Sequence, residues 1–326
     1  MAVPQRYLMV WSGATFPYPC RLAAEAVLAA APEAELEVHL LGEPPASEHF
    51  TGLFADRAGD GRLSLHHIDP DRLFTPALHR LFHRIPASAL SAQSNLLRLA
   101  LLHQRGGIYL DFDTLLLRPL HDLGQHAFVA REWVWRHDRT RVEHGFRPAM
   151  LPGAAGWGVA WALKRADSAA FAGRLRLSRR LRRIDRRFHT LQANNAVIGA
   201  SAGSEFTERL LSDSRWADPR VRYALGPALV EDTARAAPHT VTVVPADVLY
   251  AVPPGESYRF FDDRTLRLPA ASRLVHYVSS NHRELISGIH PGDERFNRPG
   301  VFWQEAGRLD VQLRRGVSVP AGSAAT

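Results

Sequence analysis

Short apolar runs and longer stretches of helical spacing alternate along the chain, punctuated by glycine and proline. Tyr7 to Trp11 is an apolar run ending at Ser12-Gly13, which predicts a first strand and turn. Residues Tyr18 to Ala31 have helical spacing and stop at Pro32. Leu36 to Leu41 predicts a second strand before Gly42-Glu43-Pro44-Pro45, and Leu63 to Ile68 a third. The clearest helix covers 88–105, with Leu90, Leu96, Leu97, Leu99, Leu101 and Leu102, and Gly106-Gly107 closes it. Ile108 to Leu117 reads as one strand. A less regular middle follows, with Trp133, Trp135 and the loop Pro152 to Gly158. Residues 171–189 predict a basic helix. Asn194 to Ala200 is an apolar segment opened by two asparagines, and Val241 to Val244 and Leu274 to Val278 are late strands. Such an order implies an α/β fold of the doubly wound kind, with ligands at the carboxyl ends of the strands. One domain is expected over 1–315, followed by a disordered tail at 316–326.

The strand pattern gives Asp111 and Asp113 a chemistry. Alternate strand residues share a face, so Tyr109, Asp111 and Asp113 are expected on one side, with Ile108, Leu110 and Phe112 towards the core. Two neighbouring carboxylates repel unless a proton or cation lies between them, and hard oxygen ligands suit Mg²⁺ or Mn²⁺. An Asp-x-Asp tripeptide is equally found in solvated turns. The preceding helix favours a pocket, because Ser91, Asn95 and Arg98 form a polar stripe on an otherwise leucine-rich surface. Taken alone, Trp11 reads as a base-stacking ring or a core residue, and His276 as a ligand or a satisfied core histidine. Asn194 and Asn195 read as caps or as ligand contacts.

Composition narrows the class. The chain has 326 residues, 46% hydrophobic and 22% charged, as in an ordinary globular protein. It shows no membrane-length apolar run and no signal-peptide plan, so a cytoplasmic location is expected. A single cysteine, Cys20, excludes an internal disulfide and a cysteine-built zinc site. The net charge of +7 is carried almost wholly by arginine, which suits anionic ligands. Eight arginines between Arg174 and Arg187 give the helix expected there a basic face, a solvated surface or a peripheral contact for a membrane or acidic partner.

Ser94-Asn95-Leu96-Leu97-Arg98, followed by Gly106-Gly107-Ile108-Tyr109-Leu110-Asp111-Phe112-Asp113, resembles the sugar-binding region of the DXD glycosyltransferases. That family includes capsular and mannosyl-type transferases and, distantly, the clostridial glucosylating toxins. Val10 to Gly13 resembles its first strand, Asn194 to Ala200 a second block, Gly226-Pro227 a later turn and Leu274 to Tyr277 its C-terminal strand. The resemblance implies a GT-A fold: a single nucleotide-binding, Rossmann-like domain with a mixed, mostly parallel sheet. It also implies retaining transfer from a nucleotide-sugar donor, UDP-linked in preference to GDP-linked, with the acceptor open and no nucleic acid as partner. Mn²⁺ or Mg²⁺ would sit on Asp111 and Asp113, with His276 as a further ligand. Arg98 joins the two aspartates in the catalytic set, and Trp11, Ser12, Ser94, Asn95, Arg98, Tyr109, Asp111, Asn194, Asn195 and Ser280 contact the donor, with Arg98 and Asn95 orienting the sugar. Two positions depart from the family pattern. Asn95 replaces the usual aspartate, and Ser279-Ser280-Asn281-His282 replaces a Ser-Trp ending.

Two other classes fit parts of the sequence. Asp111-Phe112-Asp113-Thr114 resembles the motif of haloacid-dehalogenase phosphatases, with the threonine one position early and about 110 residues ahead of the strand. A non-catalytic basic α/β domain gripping an anionic polymer would use the arginine helix and need no metal.

Overall fold

A computed structural model describes residues 2–135, 189–221 and 223–316, together with Val159 and Ala162. The loop expected at 152–158, the arginine helix at 174–187 and the tail beyond Gly316 lie outside the described residues. His189, placed at the end of that helix by its spacing, instead opens a strand.

Seven strands form one sheet in the order β3-β2-β1-β4-β7-β6-β8. They are β1 (Arg6–Trp11), β2 (Glu35–Leu40), β3 (Leu63–His67), β4 (Gly107–Leu110), β6 (Ala127–Trp135), β7 (His189–Ala200) and β8 (Thr242–Val244). β3, β2, β1 and β4 are parallel; β7 is antiparallel to both its neighbours, and β8 pairs parallel to β6. A separate ribbon joins β5 (Thr114–Leu116) to β9 (Leu274–His276) in antiparallel pairing. The fold is therefore a mixed, mostly parallel α/β sheet, as the sequence predicts.

Period two in the strands divides the interior. Tyr7 and Met9 of β1 enter the core that holds α1 (Tyr18–Ala30), α2 (Glu48–Ala55) and the C-terminal helix Val301–Arg314, whereas Leu8 and Val10 enter the opposite core. The second core is built on α3 (Pro70–Leu73), α4 (Pro76–Arg84), α5 (Leu90–Arg105), α6 (Glu205–Ser214) and α7 (Pro227–Ala236). Both faces of the sheet are covered, which explains why its strands read as near-continuous apolar runs.

The turn out of α5 aims the strand that follows. Gly106 takes φ +64, a left-handed conformation, and its amide bonds back to Leu102 O. Gly107, at φ +125, lies so close to β1 that a Cβ would come within 2.7 Å of Arg6 O. Glycine is required at both positions, one for conformation and one for approach.

The expected single strand over 108–117 is broken. β4 ends at Leu110 and Asp111–Asp113 form a turn, after which the chain leaves the main sheet for the ribbon. The turn closes on itself through the Thr114 hydroxyl, which donates to Asp111 O at 2.7 Å. The residue after β9 holds it from outside: Tyr277 N donates to Asp113 O and the Tyr277 hydroxyl to Phe112 O, each at 3.1 Å. Strand alternation is therefore not what places the two aspartates. The middle of the chain is also more regular than its sequence suggests, since Trp133 and Trp135 belong to the nine-residue β6.

Candidate active site

The acidic turn lies at the carboxyl end of β4, beside the carboxyl end of β1. Phe112 is buried, as its position predicts, with edge-on ring contacts to Trp11 at 5.4 Å and Phe16 at 5.2 Å. Trp11 is half-buried and its indole donates to Gly13 O at 3.2 Å. One ring therefore separates Trp11 from the aspartates. Ser12 is half-buried next to it, and Ser280 is exposed.

Asp111 is gripped from behind. Arg98, 4% exposed, reaches its two oxygens at 2.9 and 3.3 Å, and the Tyr109 hydroxyl donates to Oδ1 at 2.7 Å. Further guanidinium bonds go to Ser94 and to Asn195 O, and the cation lies 4.3 Å from the Tyr109 ring centre. Arg98 is thus committed to protein partners and acts by fixing Asp111. The polar stripe on α5 divides accordingly: Ser91 is exposed, Asn95 half-buried and Arg98 buried. Burial raises the Asp111 carboxyl, with Arg98 opposing it, and the same burial raises the Tyr109 phenol.

Asp113 has different partners. The Ser279 amide donates to Oδ2 at 3.0 Å and its hydroxyl at 3.3 Å, while His276 Nε2 lies 3.4 Å from Oδ1. Burial works to raise this carboxyl, but His276 and Ser279 outweigh it and leave it below the ordinary range. Burial likewise disfavours the His276 cation, yet Asp113, with Glu132 and Asp111, lifts its pKa to about 9. The residue that delivers Ser279 is Val278, at φ +51, where a β-branched side chain is strained.

β7 brings in the third group. Val129 pairs with Ile198 but Ala130 with Asn194, so residues 195–197 bulge out of the β6–β7 ladder. Three bonds satisfy the bulge: Ala196 N to Asn194 Oδ1, Val197 N to the Tyr250 hydroxyl, and Asp111 N to Ala196 O. Asn195 Nδ2 then donates to Asn95 Oδ1 at 2.7 Å, and Asn194 Nδ2 to Glu132 Oε1 at 2.6 Å. The other Glu132 oxygen is buried without a hydrogen bond, and burial, against the pull of His276, pushes the carboxyl up to about 7. Sequence reading missed Glu132, Tyr250 and Ser279. Glu132 carries one legible signal, a lone acid in an apolar run; the other two carry none.

Nine expected residues therefore form one connected cluster: Ser94, Asn95, Arg98, Tyr109, Asp111, Asp113, Asn194, Asn195 and His276. Asp113 Oδ1 is buried without a hydrogen bond, and 29% of the Asp111 side chain remains exposed. Two carboxylates with free oxygen lone pairs, balanced here by Arg98 and His276, fit a hard divalent cation. His276 serves here as the ion-pair partner of Asp113. Among the described residues, only Asp71, His79 and His83 bring three ligand atoms within 4.8 Å of one another.

Residues 60–130 match the family described as glycosyltransferase sugar-binding region containing DXD motif. The matched segment runs from just before β3 into β6 and contains α5, the glycine pair, Asp111 and Asp113. Among solved structures the chain is similar to the PaToxG glycosyltransferase, at 13% identity over 72% of this chain and 69% of that one, TM-score 0.44. It is similar to the galactosyltransferase LgtC in complex with donor and acceptor sugar analogs, at 14% over 97% and 98%, TM-score 0.41. It is also similar to mouse xyloside xylosyltransferase 1 in apo form, at 15% over 84% and 97%, TM-score 0.43. No curated protein matches the chain. Among the described residues no helix is long and apolar enough to cross a membrane.

Proposed function

We propose that this chain is a retaining glycosyltransferase that moves a hexosyl group from a nucleotide-sugar donor, UDP-linked in preference to GDP-linked. The observation that carries the reading is the acidic turn at the end of β4, inside the segment that matches the DXD sugar-binding region. Asp111 and Asp113 would hold Mn²⁺ or Mg²⁺, which when bound supplies positive charge against the donor diphosphate. Arg98 and Tyr109 fix the Asp111 carboxylate; Ser279 and His276 fix that of Asp113. Trp11 and Ser12 border the turn on the β1 side, where a base would stack, with Ser280 on the β9 side. Ser94, Asn95 and Asn195 would present amides and a hydroxyl to the sugar, whereas Asn194, its amide engaged by Glu132 and Ala196 N, would act by holding the bulge that carries Asn195. In the transfer the bond from C1 to the phosphate oxygen breaks and a bond from C1 to the acceptor oxygen forms on the same face. The acceptor proton passes to the departing phosphate, so no protein nucleophile is needed.

Incubating the purified protein with nucleotide sugars and Mn²⁺ or Mg²⁺, and following nucleotide release, tests this reading. Asp113→Ala is expected to lose turnover by at least about a hundredfold with its circular dichroism unchanged. Full turnover in that variant, or in EDTA, sinks the metal role. Inversion at C1, read by NMR of the product, would refute retention.

A further inference from the structure

Away from the acidic turn, three side chains on α3 and α4 converge. His79 Nε2 lies 2.6 Å from Asp71 Oδ1 and 2.9 Å from His83 Nε2. The two imidazole rings are 4.2 Å apart, and all three ligand atoms fall within 4.8 Å of one another. Asp71 and His83 are exposed and His79 is half-buried.

The backbone holds this arrangement in place. His79 and His83 are one turn apart on α4, whose opposite face buries Leu78, Leu81 and Phe82 in the core beside α5. Asp71 is set by the Asp69 cap, whose Oδ1 accepts the Asp71 amide at 3.0 Å. Proton counting shows what the cluster lacks. If His79 Nε2 donates its single proton to Asp71, it has no lone pair left for His83. A neutral His83 Nε2 without a proton then faces that donor as a second acceptor, and with a proton it faces a like donor. A divalent cation accepts a lone pair from all three groups at once.

We propose that Asp71, His79 and His83 form a second metal site, selective for Zn²⁺ or a neighbouring transition ion. Two imidazole nitrogens and one carboxylate oxygen suit these borderline ions, whereas Mg²⁺ and Mn²⁺ prefer the all-oxygen acidic turn. Metal–ligand bonds of about 2.0–2.2 Å would need both the nitrogen pair and the closer Asp71–His79 contact to open to roughly 3.3 Å, a small rotamer adjustment for these side chains. A cation there would clip α3 to α4 and brace the connection between β3 and α5.

Calorimetric titration of the chelator-treated full chain with Zn²⁺ tests the site, with Co²⁺ absorption as a second readout. One equivalent is expected in the wild type and in Asp113→Ala. That equivalent should weaken at least tenfold in His83→Gln and in Asp71→Asn, while donor turnover with Mn²⁺ stays unchanged in both. Failure of Zn²⁺ to bind, or an equal stoichiometry and affinity in wild type and both variants, overturns the proposal.

Discussion

At Glu132 a carboxyl group is 5% exposed and only one of its oxygens is hydrogen-bonded, to Asn194. Burial disfavours its charged form and moves its pKa from 4.5 to about 7. The sign of the consequence follows from linkage. Between those values the folded chain holds a proton that the unfolded chain has released, so stability falls as pH rises from about 4.5 to about 7. Glu132→Gln keeps the shape and removes the titration. In chelator-treated protein, the variant should gain on the wild type by up to about 2–3 kcal/mol between pH 4.5 and pH 8. Urea unfolding at the two pH values measures this. A gap that does not change with pH would mean that Glu132 stays ionised throughout, against the effect of its burial. Arg98 follows the contrary logic: fully committed to Asp111, Ser94 and Asn195, it is a positioning residue whose charge is needed where it lies.

Among the elements, the β6–β7 ladder is the most tightly fitted. A Cβ on Gly199 would lie 2.0 Å from Phe128 Cε1, with both residues in the centre of the sheet and Phe128 fully buried. Gly199→Ala is therefore expected to destabilise by about 1–3 kcal/mol through forced repacking. Denaturant melts that coincide with wild type would show that Phe128 can turn away freely. Elements of this kind mark the limit of what the sequence reveals. β1, α1 and α5 announce themselves locally, by apolar runs, spacing and a glycine stop, and the structure ends each within a residue or two of the expected point. The aspartate pair and its companions on α5 were legible for the same reason. The break after Leu110 was not, because it depends on Tyr277, far along the chain, pairing with Asp113 and Phe112. Nor was the bulge at residues 195–197, whose bonds run to Tyr250 and Asp111. Local pattern carries the strands; long-range hydrogen bonds decide where they bend, and in this chain they bend at the site.

Across the whole molecule the charge balance sets the acid limit. The chain carries +7 at neutral pH, and every carboxylate that takes a proton adds to the self-repulsion. Glu37 is a buried carboxylate that resists protonation. On β2 and 3% exposed, it receives Arg105 of α5 at 2.7 Å on both oxygens, Arg6 of β1 at 2.9 Å and His39 at 3.0 Å. Burial alone would raise this carboxyl, but His39 and the two arginines hold it down at about 2. A depressed pKa gives the opposite sign to Glu132: the stabilisation is complete above about 4.5 and is lost as pH falls through about 2. Glu37→Gln should therefore cost roughly 2–3 kcal/mol at pH 7, where two guanidinium groups are left facing a neutral amide. The deficit should shrink at pH 3 and nearly vanish near pH 2, where the wild-type carboxyl is itself half protonated and the unfolded one fully so. Unfolding free energies of the two proteins across that range decide the matter. A deficit that persists at pH 2 would assign the role of Glu37 to packing between β1, β2 and α5 rather than to its charge.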